Sequence, residues 1–220
     1  MNKLESHRRG DHVILHIPKN ASTYMKKNLR LWGGWNPCRL SDVNWQQDKV
    51  VGVMQNPLRR WTKGMAEELW RSPQLLSWAR QDSRTFFDLQ KDTVGDHGAP
   101  VTLFLGQRAG QVRWMLMDHA QITLHRQIEM WLEAQGESHL PIEEKIHQSE
   151  QEKELLHKWV ERQVKNLITP SMDEHGAKNG IILTNYQLLL HQDIEIYRRA
   201  RQAINPQAHR WNELHGQPVR

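Results

Sequence analysis

Apolar and polar positions alternate between two periods along this chain, and the changes of period mark the predicted elements. Val13–Ile17 is a short apolar run after a charged start and predicts a buried strand. Pro18 ends it, and a helix is expected over about Tyr24–Trp32, with Ser22 or Thr23 as its cap. Gly33, Gly34, Asn36 and Pro37 break the chain. Lys49–Met54 predicts a second strand, closed by Asn56–Pro57. Leu58–Arg71 has a helical period, with Trp61, Met65, Leu69 and Trp70 as its apolar face. Ser83–Asp92 reads as a shorter helix or turn, and Val101–Leu105 as a third strand. Arg113–Met117 and Ile122–Leu124 fit either a strand or a buried helix. Glu129–Ala134, Ile142–Leu167 and Leu188–Ile204 predict helices, and Ile181–Thr184 a further strand.

Strands alternating with helices predict an α/β fold: three layers, α/β/α, around a central, mainly parallel sheet. In such folds ligands bind beyond the carboxyl ends of the strands, so the first strand–loop–helix is where chemistry is sought. With 220 residues, no repeat and no linker composition, the whole of 1–220 is expected to form one domain.

The formal net charge of +5 suits an anionic ligand without choosing among a nucleotide, a sulfated sugar and nucleic acid. No nucleic-acid-binding motif accompanies it, so nucleic acid is not the expected partner. The single cysteine, Cys38, allows no internal disulfide and favours a reducing compartment. No apolar run is long enough to span a bilayer, and Met1–Asp11 lacks the apolar centre of a signal peptide, so a cytoplasmic protein without a membrane partner is expected. The thirteen histidines show no metal-ligand spacing; Asp118–His119 and His125 are the nearest approach to a cluster, and no metal is expected. Most of the ten tryptophans sit at core spacing and read as packing, with one or two able to stack on a base or sugar.

The segment His16-Ile17-Pro18-Lys19-Asn20-Ala21-Ser22-Thr23 carries the clearest chemistry. A strand delivers the chain to a turn, and the turn presents backbone N–H groups at a helix N-terminus, where the dipole favours an anion. Ser22 and Thr23 add hydroxyls, and Lys19 adds a mobile point charge. It is not a Walker A loop, whose glycines are absent, and this removes the usual reason to expect a magnesium ligand.

This pattern resembles the phosphosulfate-binding loop of sulfotransferases, in particular the carbohydrate branch with its H-x-P-K-x-[AG]-[GS]-[ST] loops. A second segment, Val50–Leu69, resembles the family's R-[ND]-P-x-x-R-x-x-S motif: Asn56, Pro57 and Arg60 fit, Gln55 stands in place of the first Arg, and Lys63 in place of the Ser. Asp96–Pro100 is similar to an H-x-x-P-Q segment, with Val101 replacing Gln, and Ile181–Leu190 to a late strand and helix start. The good resemblance covers Val13–Leu69.

The resemblance implies a P-loop NTPase-like fold and transfer of a sulfuryl group from 3′-phosphoadenosine-5′-phosphosulfate to a hydroxyl or amine, with a carbohydrate or small-molecule acceptor. It implies that Pro18, Lys19, Asn20, Ala21, Ser22, Thr23 and Tyr24 surround the 5′-phosphosulfate, and that Lys19 contacts its bridging oxygen. Gln55, Arg60 and Lys63 would serve the 3′-phosphate, with the positive charge moved rather than lost. A general base must reach the acceptor. Asp42 is the positional candidate between the two motifs, and His97 the chemical one, since its imidazole titrates near neutrality. A phosphotransferase using the same loop, and a non-catalytic binder of sulfated or phosphorylated ligands, remain open beside this reading, as do the acceptor and the oligomeric state.

Overall fold

The computed structural model describes residues 4–90, 97–144, 151–168 and 190–206. Five strands form one sheet: β1 (Glu5–Arg9), β2 (His12–His16), β3 (Asn36–Cys38), β4 (Lys49–Met54) and β5 (Arg113–Leu116), in the order β3-β1-β2-β4-β5. Strands β2, β4 and β5 run parallel, whereas β1 pairs antiparallel with both β2 and β3. The fold is mixed α/β, and among the described residues the expected parallel pairing is seen in these three strands.

The two antiparallel strands escape the apolar pattern for physical reasons. β1 buries only Ser6, so it has no hydrophobic run; a tight turn at Gly10, φ 60°, folds it onto β2 instead. β3 carries Pro37, which is tolerated because β3 is an edge strand.

Along the central strands successive residues enter different clusters. Val13, Leu15, Val50, Met54, Trp114 and Leu116 join one, Ile14, Val51, Val53 and Met115 the other. The first is completed by α5 (Val101–Leu105) and by Ala200 and Ile204 of α8, the helical residues 190–206. The second is completed by α1 (Ser22–Trp32) and α6 (Leu124–Glu133). A third cluster joins α2 (Pro57–Arg71), α3 (Pro73–Gln81), α4 (Ser83–Gln90) and α7 (Gln151–Ile168). Gly52 in β4 is required by close approach: a Cβ there would lie 2.6 Å from the Trp114 ring.

Four sequence expectations are corrected. Val101–Leu105 is a helix, not a strand. Pro100 precedes it, and the buried Asp193 carboxylate accepts from Val101 N at 2.6 Å and Thr102 N at 3.0 Å, which satisfies the first N–H groups of a helix. The helix expected over Ile142–Leu167 is seen from Gln151, and residues 141–143 are non-helical. They are drawn onto α1 by Trp32 Nε1, Tyr24 Oη and Asn28 Oδ1, which bond Pro141 O, Glu143 O and Glu143 N at 2.7–2.9 Å. Trp70 leaves the apolar face of α2 and is 40% exposed, with the Lys153 ammonium 3.8 Å from its ring centre. Neither Ser22 nor Thr23 caps α1; Ala21 holds that position with no side-chain bond. Ile122–Leu124 resolves into a buried Ile122, a capping Thr123 and the first residue of α6. Ile181–Thr184 and Asp96 lie outside the described residues.

Candidate functional site

The loop after β2 is a strained turn held from outside. Asn20 N donates to Ile17 O at 3.1 Å, closing a four-residue turn with Pro18 and Lys19 at its centre. Lys19 has φ 61°, the value a type II turn demands at that place and usually assigns to glycine. Ala21 follows at φ 54°. Left-handed geometry costs a non-glycine residue roughly 1–2 kcal/mol, so neighbours must impose it. Gln55 does so twice: its Nε2 donates to Lys19 O, and its backbone N donates to Asn20 Oδ1 at 3.2 Å. Arg60 Nε donates to Pro18 O at 3.1 Å. Asn20 is 1% exposed, and its Nδ2 has no hydrogen-bond partner.

Beyond Ala21 the first N–H groups of α1 have no intrahelical acceptor, and no side chain caps them. Thr23 is exposed and Ser22 half-buried, so both hydroxyls stand at the positive end of the helix. Tyr24 is buried with its hydroxyl on Glu143 O, at 2.9 Å, so only its backbone serves the loop.

The start of α2 lies against this loop. Asn56 caps it, with Oδ1 accepting from Leu58 N and Arg59 N at 3.1 and 3.2 Å, and its own N donates to Asp118 Oδ2 at 2.9 Å. Asp118 Oδ1 in turn accepts from Tyr197 Oη at 2.9 Å; burial and this carboxylate push the tyrosine up to about 12. Arg60 is 1% exposed, and burial lowers it to about 10 despite Asp193. Its Nη1 donates to Ala99 O, so two arms of the guanidinium hold main-chain carbonyls, one in the loop after β2 and one just before α5. The charge that faces outward is that of Arg59 and Lys63. Lys63 is half-buried; burial and Arg59 lower its pKa, Glu154 and Glu161 of α7 oppose that, and Lys19 adds to the lowering.

Lys19 itself reaches along α2. Its Nζ lies 3.0 Å from Glu67 Oε2, a carboxylate that also binds Arg71 Nη2 at 2.7 Å and has Lys153 Nζ at 3.8 Å. Burial pushes the Glu67 carboxyl up, but the bonds from Lys19 and Arg71 and the charge of Lys153 outweigh it and hold it below the ordinary range. His97 joins this group. Its Nδ1 is 3.6 Å from Glu68 Oε1, and burial, then Lys19 and Arg71, lower its pKa against the pull of Glu67 and Glu68. Gly64 makes the approach feasible, because a Cβ on it would collide with the Gly98 backbone.

The structure thus brings together Pro18, Lys19, Asn20, Ala21, Ser22, Thr23, Gln55, Arg60, Lys63 and His97. It does not bring Asp42 to them. The Asp42 carboxylate closes its own turn on Arg39 N and Ser41 Oγ, and the Arg8 guanidinium that binds its carbonyl also holds Asp48, just before β4 starts. That is the end of the sheet opposite Lys19. A cavity of about 250 Å³ between Val112, Trp114, Ile196 and Ala200 also lies at that other end, by the start of β5. Among the described residues no group of three or more metal-ligating side chains occurs.

Sequence reasoning missed Glu67 and Tyr197, and named Asp118 only beside His119 and His125 as the nearest approach to a metal cluster. Glu67 had a signal: it stands four residues before Arg71 on α2, the spacing of a helical ion pair. Asp118 and Tyr197 meet across 79 positions, and no local pattern announces that pair. No family model matches the chain, and no curated protein or solved structure matches it either.

Proposed function

We propose that the protein transfers a sulfuryl group from 3′-phosphoadenosine-5′-phosphosulfate to a hydroxyl or amine of a carbohydrate acceptor. The observation that carries this reading is the loop Pro18–Thr23: a left-handed Lys19 and Ala21, an uncapped α1 and an unpartnered buried Asn20 Nδ2, at the carboxyl end of a parallel strand. Such an arrangement supports binding of a phosphate or sulfate oxygen. The apolar clusters fed by alternate residues of β2, β4 and β5 support the three-layer, P-loop-like frame that the reading assumes.

The residues fit the 5′ side of the nucleotide better than the 3′ side. Gln55 is buried against the loop, and Arg60 is buried with Nε and Nη1 on carbonyls and only Nη2 without a partner, so Arg59 and Lys63 are the outward-facing cations for a 3′-phosphate. In transfer, the α1 N–H groups and Lys19 stabilise charge on the departing phosphate, an electrostatic role. The acceptor's proton goes to His97, which is kept neutral near pH 7 by burial and by Lys19 and Arg71.

Calorimetry with adenosine 3′,5′-bisphosphate and with ADP tests the reading. Micromolar binding of the first, at least tenfold tighter than the second, is expected. Equal affinities, or tight binding only of ATP with magnesium, would replace it with a phosphotransferase or a general anion binder.

A further inference from the structure

Glu67 is over-supplied with positive charge. A buried carboxylate needs one well-placed cation, and this one, with its side chain 7% exposed, has Lys19 at 3.0 Å, Arg71 at 2.7 Å and Lys153 at 3.8 Å. It stands about three turns into α2, well past Arg60, which touches the loop backbone. The Lys19 ammonium is therefore drawn along the helix and away from the N–H groups of α1.

We infer that Glu67 is a positioning residue for Lys19, holding its ammonium off the loop in the free protein and handing it to the anion when the loop is filled. This rests on the sulfotransferase reading for the identity of the anion, the phosphosulfate group of the donor. Two observations make the exchange cheap. When Lys19 leaves, Glu67 keeps Arg71 and Lys153, so no carboxylate is left buried and unpaired. The Lys19 side chain is 26% exposed against 7% for Glu67, so the ammonium can leave through solvent while the carboxylate stays in place. An anion held at the N-terminus of α1 offers the ammonium a charge-assisted bond of the same kind as the one it gives up. The Lys19 backbone stays fixed by Gln55 throughout, so only its side-chain torsions change.

A purely structural Glu67 would behave differently in a double-mutant cycle. Inorganic pyrophosphate is the probe, titrated calorimetrically into wild type, Glu67→Gln, Lys19→Ala and the double variant. Glu67→Gln is expected to tighten pyrophosphate about three- to tenfold, with the gain absent on the Lys19→Ala background. Arg71→Ala gives the opposite sign without touching the buried acid: Glu67 then leans harder on Lys19, and pyrophosphate weakens severalfold, again only when Lys19 is present. Changes of equal size with and without Lys19, or a weakening by Glu67→Gln, would overturn the inference. Adenosine 3′,5′-bisphosphate against ADP on the wild type separates the two readings. A Lys19-dependent Glu67 effect without 3′-phosphate preference supports the positioning role and overturns the sulfotransferase reading. A 3′-phosphate preference with no Glu67 effect does the reverse, and a wild type that binds no pyrophosphate overturns both.

Discussion

Arg60 donates from Nε to the Pro18 carbonyl at 3.1 Å while only 1% of the residue is exposed. An arginine in the second motif is thus bonded to the backbone of the first, and its cation sits inside the fold. For Arg60→Met two effects oppose each other. The Pro18 and Ala99 carbonyls lose a donor, at about 1–3 kcal/mol each. A charge whose burial lowers it to about 10 is removed, which returns about 3 kcal/mol. Net stability in urea should therefore change by no more than about 3 kcal/mol, while the left-handed turn loses one of its clamps. Binding of adenosine 3′,5′-bisphosphate should fall tenfold or more. Unchanged binding in the folded variant would mean that Gln55 alone shapes the loop.

Acid should unfold this protein through its histidines before its carboxylates. His16 is 4% exposed at the end of β2, bonded at 2.9 Å to His7, and burial, then His7 and Lys26, lower it to about 3. The unfolded chain binds a proton near pH 6.5 that the native state refuses. Stability contributed by this neutral imidazole is complete above that pH and is lost as pH falls toward about 3. From about pH 7 to about pH 5 the loss is about 2 kcal/mol from this residue alone. His7, His97 and His157 are lowered too and act in the same direction. Urea midpoints against pH should show the slope, and His16→Phe should flatten it. An unchanged profile in that variant would assign the acid sensitivity to the other three.

Gly64→Ala should separate His97 from the Lys19 group. The new methyl meets main chain, not a flexible side chain, so α2 and the Gly98 strap must part. Overpacking of that kind costs about 1–3 kcal/mol, and the better helix propensity of alanine returns only about 1. NMR titration of His97 is the informative readout, because lost burial, then distance from Lys19 and Arg71, should raise its pKa toward the ordinary value and outweigh the weaker pull of Glu67 and Glu68. A variant with wild-type stability and an unshifted His97 would refute the close packing.

The frame around Lys19 was legible because each signal is local. An apolar run stops at Pro18, a second stops at Asn56–Pro57, and both strands then lie side by side in parallel. Val101–Leu105 was misread because a five-residue run with four apolar residues fits either period; Asp193, 92 positions from Val101, decides for helix. β1 was invisible because a half-exposed strand beside a buried one needs no hydrophobic alternation. The role of Glu67 depends on Lys19 and Lys153, 48 and 86 positions away, and only the fold brings them to one carboxylate.

Lys63 should supply the cation for the 3′-phosphate that Gln55 and Arg60 do not. Gln55 is buried and donates to Lys19 O, and Arg60 faces carbonyls, so neither points a free charge outward. Lys63 stands one turn beyond Arg59 on the same face of α2. It feels Arg59 and Lys19 as like charges, which places its ammonium in the field of the loop, and it feels Glu154 and Glu161 of α7 as opposite ones. Those carboxylates compete with any ligand for it. If Lys63 serves the 3′-phosphate, Lys63→Ala should weaken adenosine 3′,5′-bisphosphate by roughly 1.5–3 kcal/mol, the value of a charged hydrogen bond, and leave ADP unchanged. If it serves α7 instead, the variant should lose equal affinity for both ligands and unfold earlier, since Glu154 and Glu161 would keep no lysine at this position. Calorimetry with the two nucleotides, beside a urea titration, distinguishes the outcomes. Arg59→Ala on the same pair of ligands then shows whether the charge next along the face shares the work, because a ligand held by both should lose affinity for each removal separately.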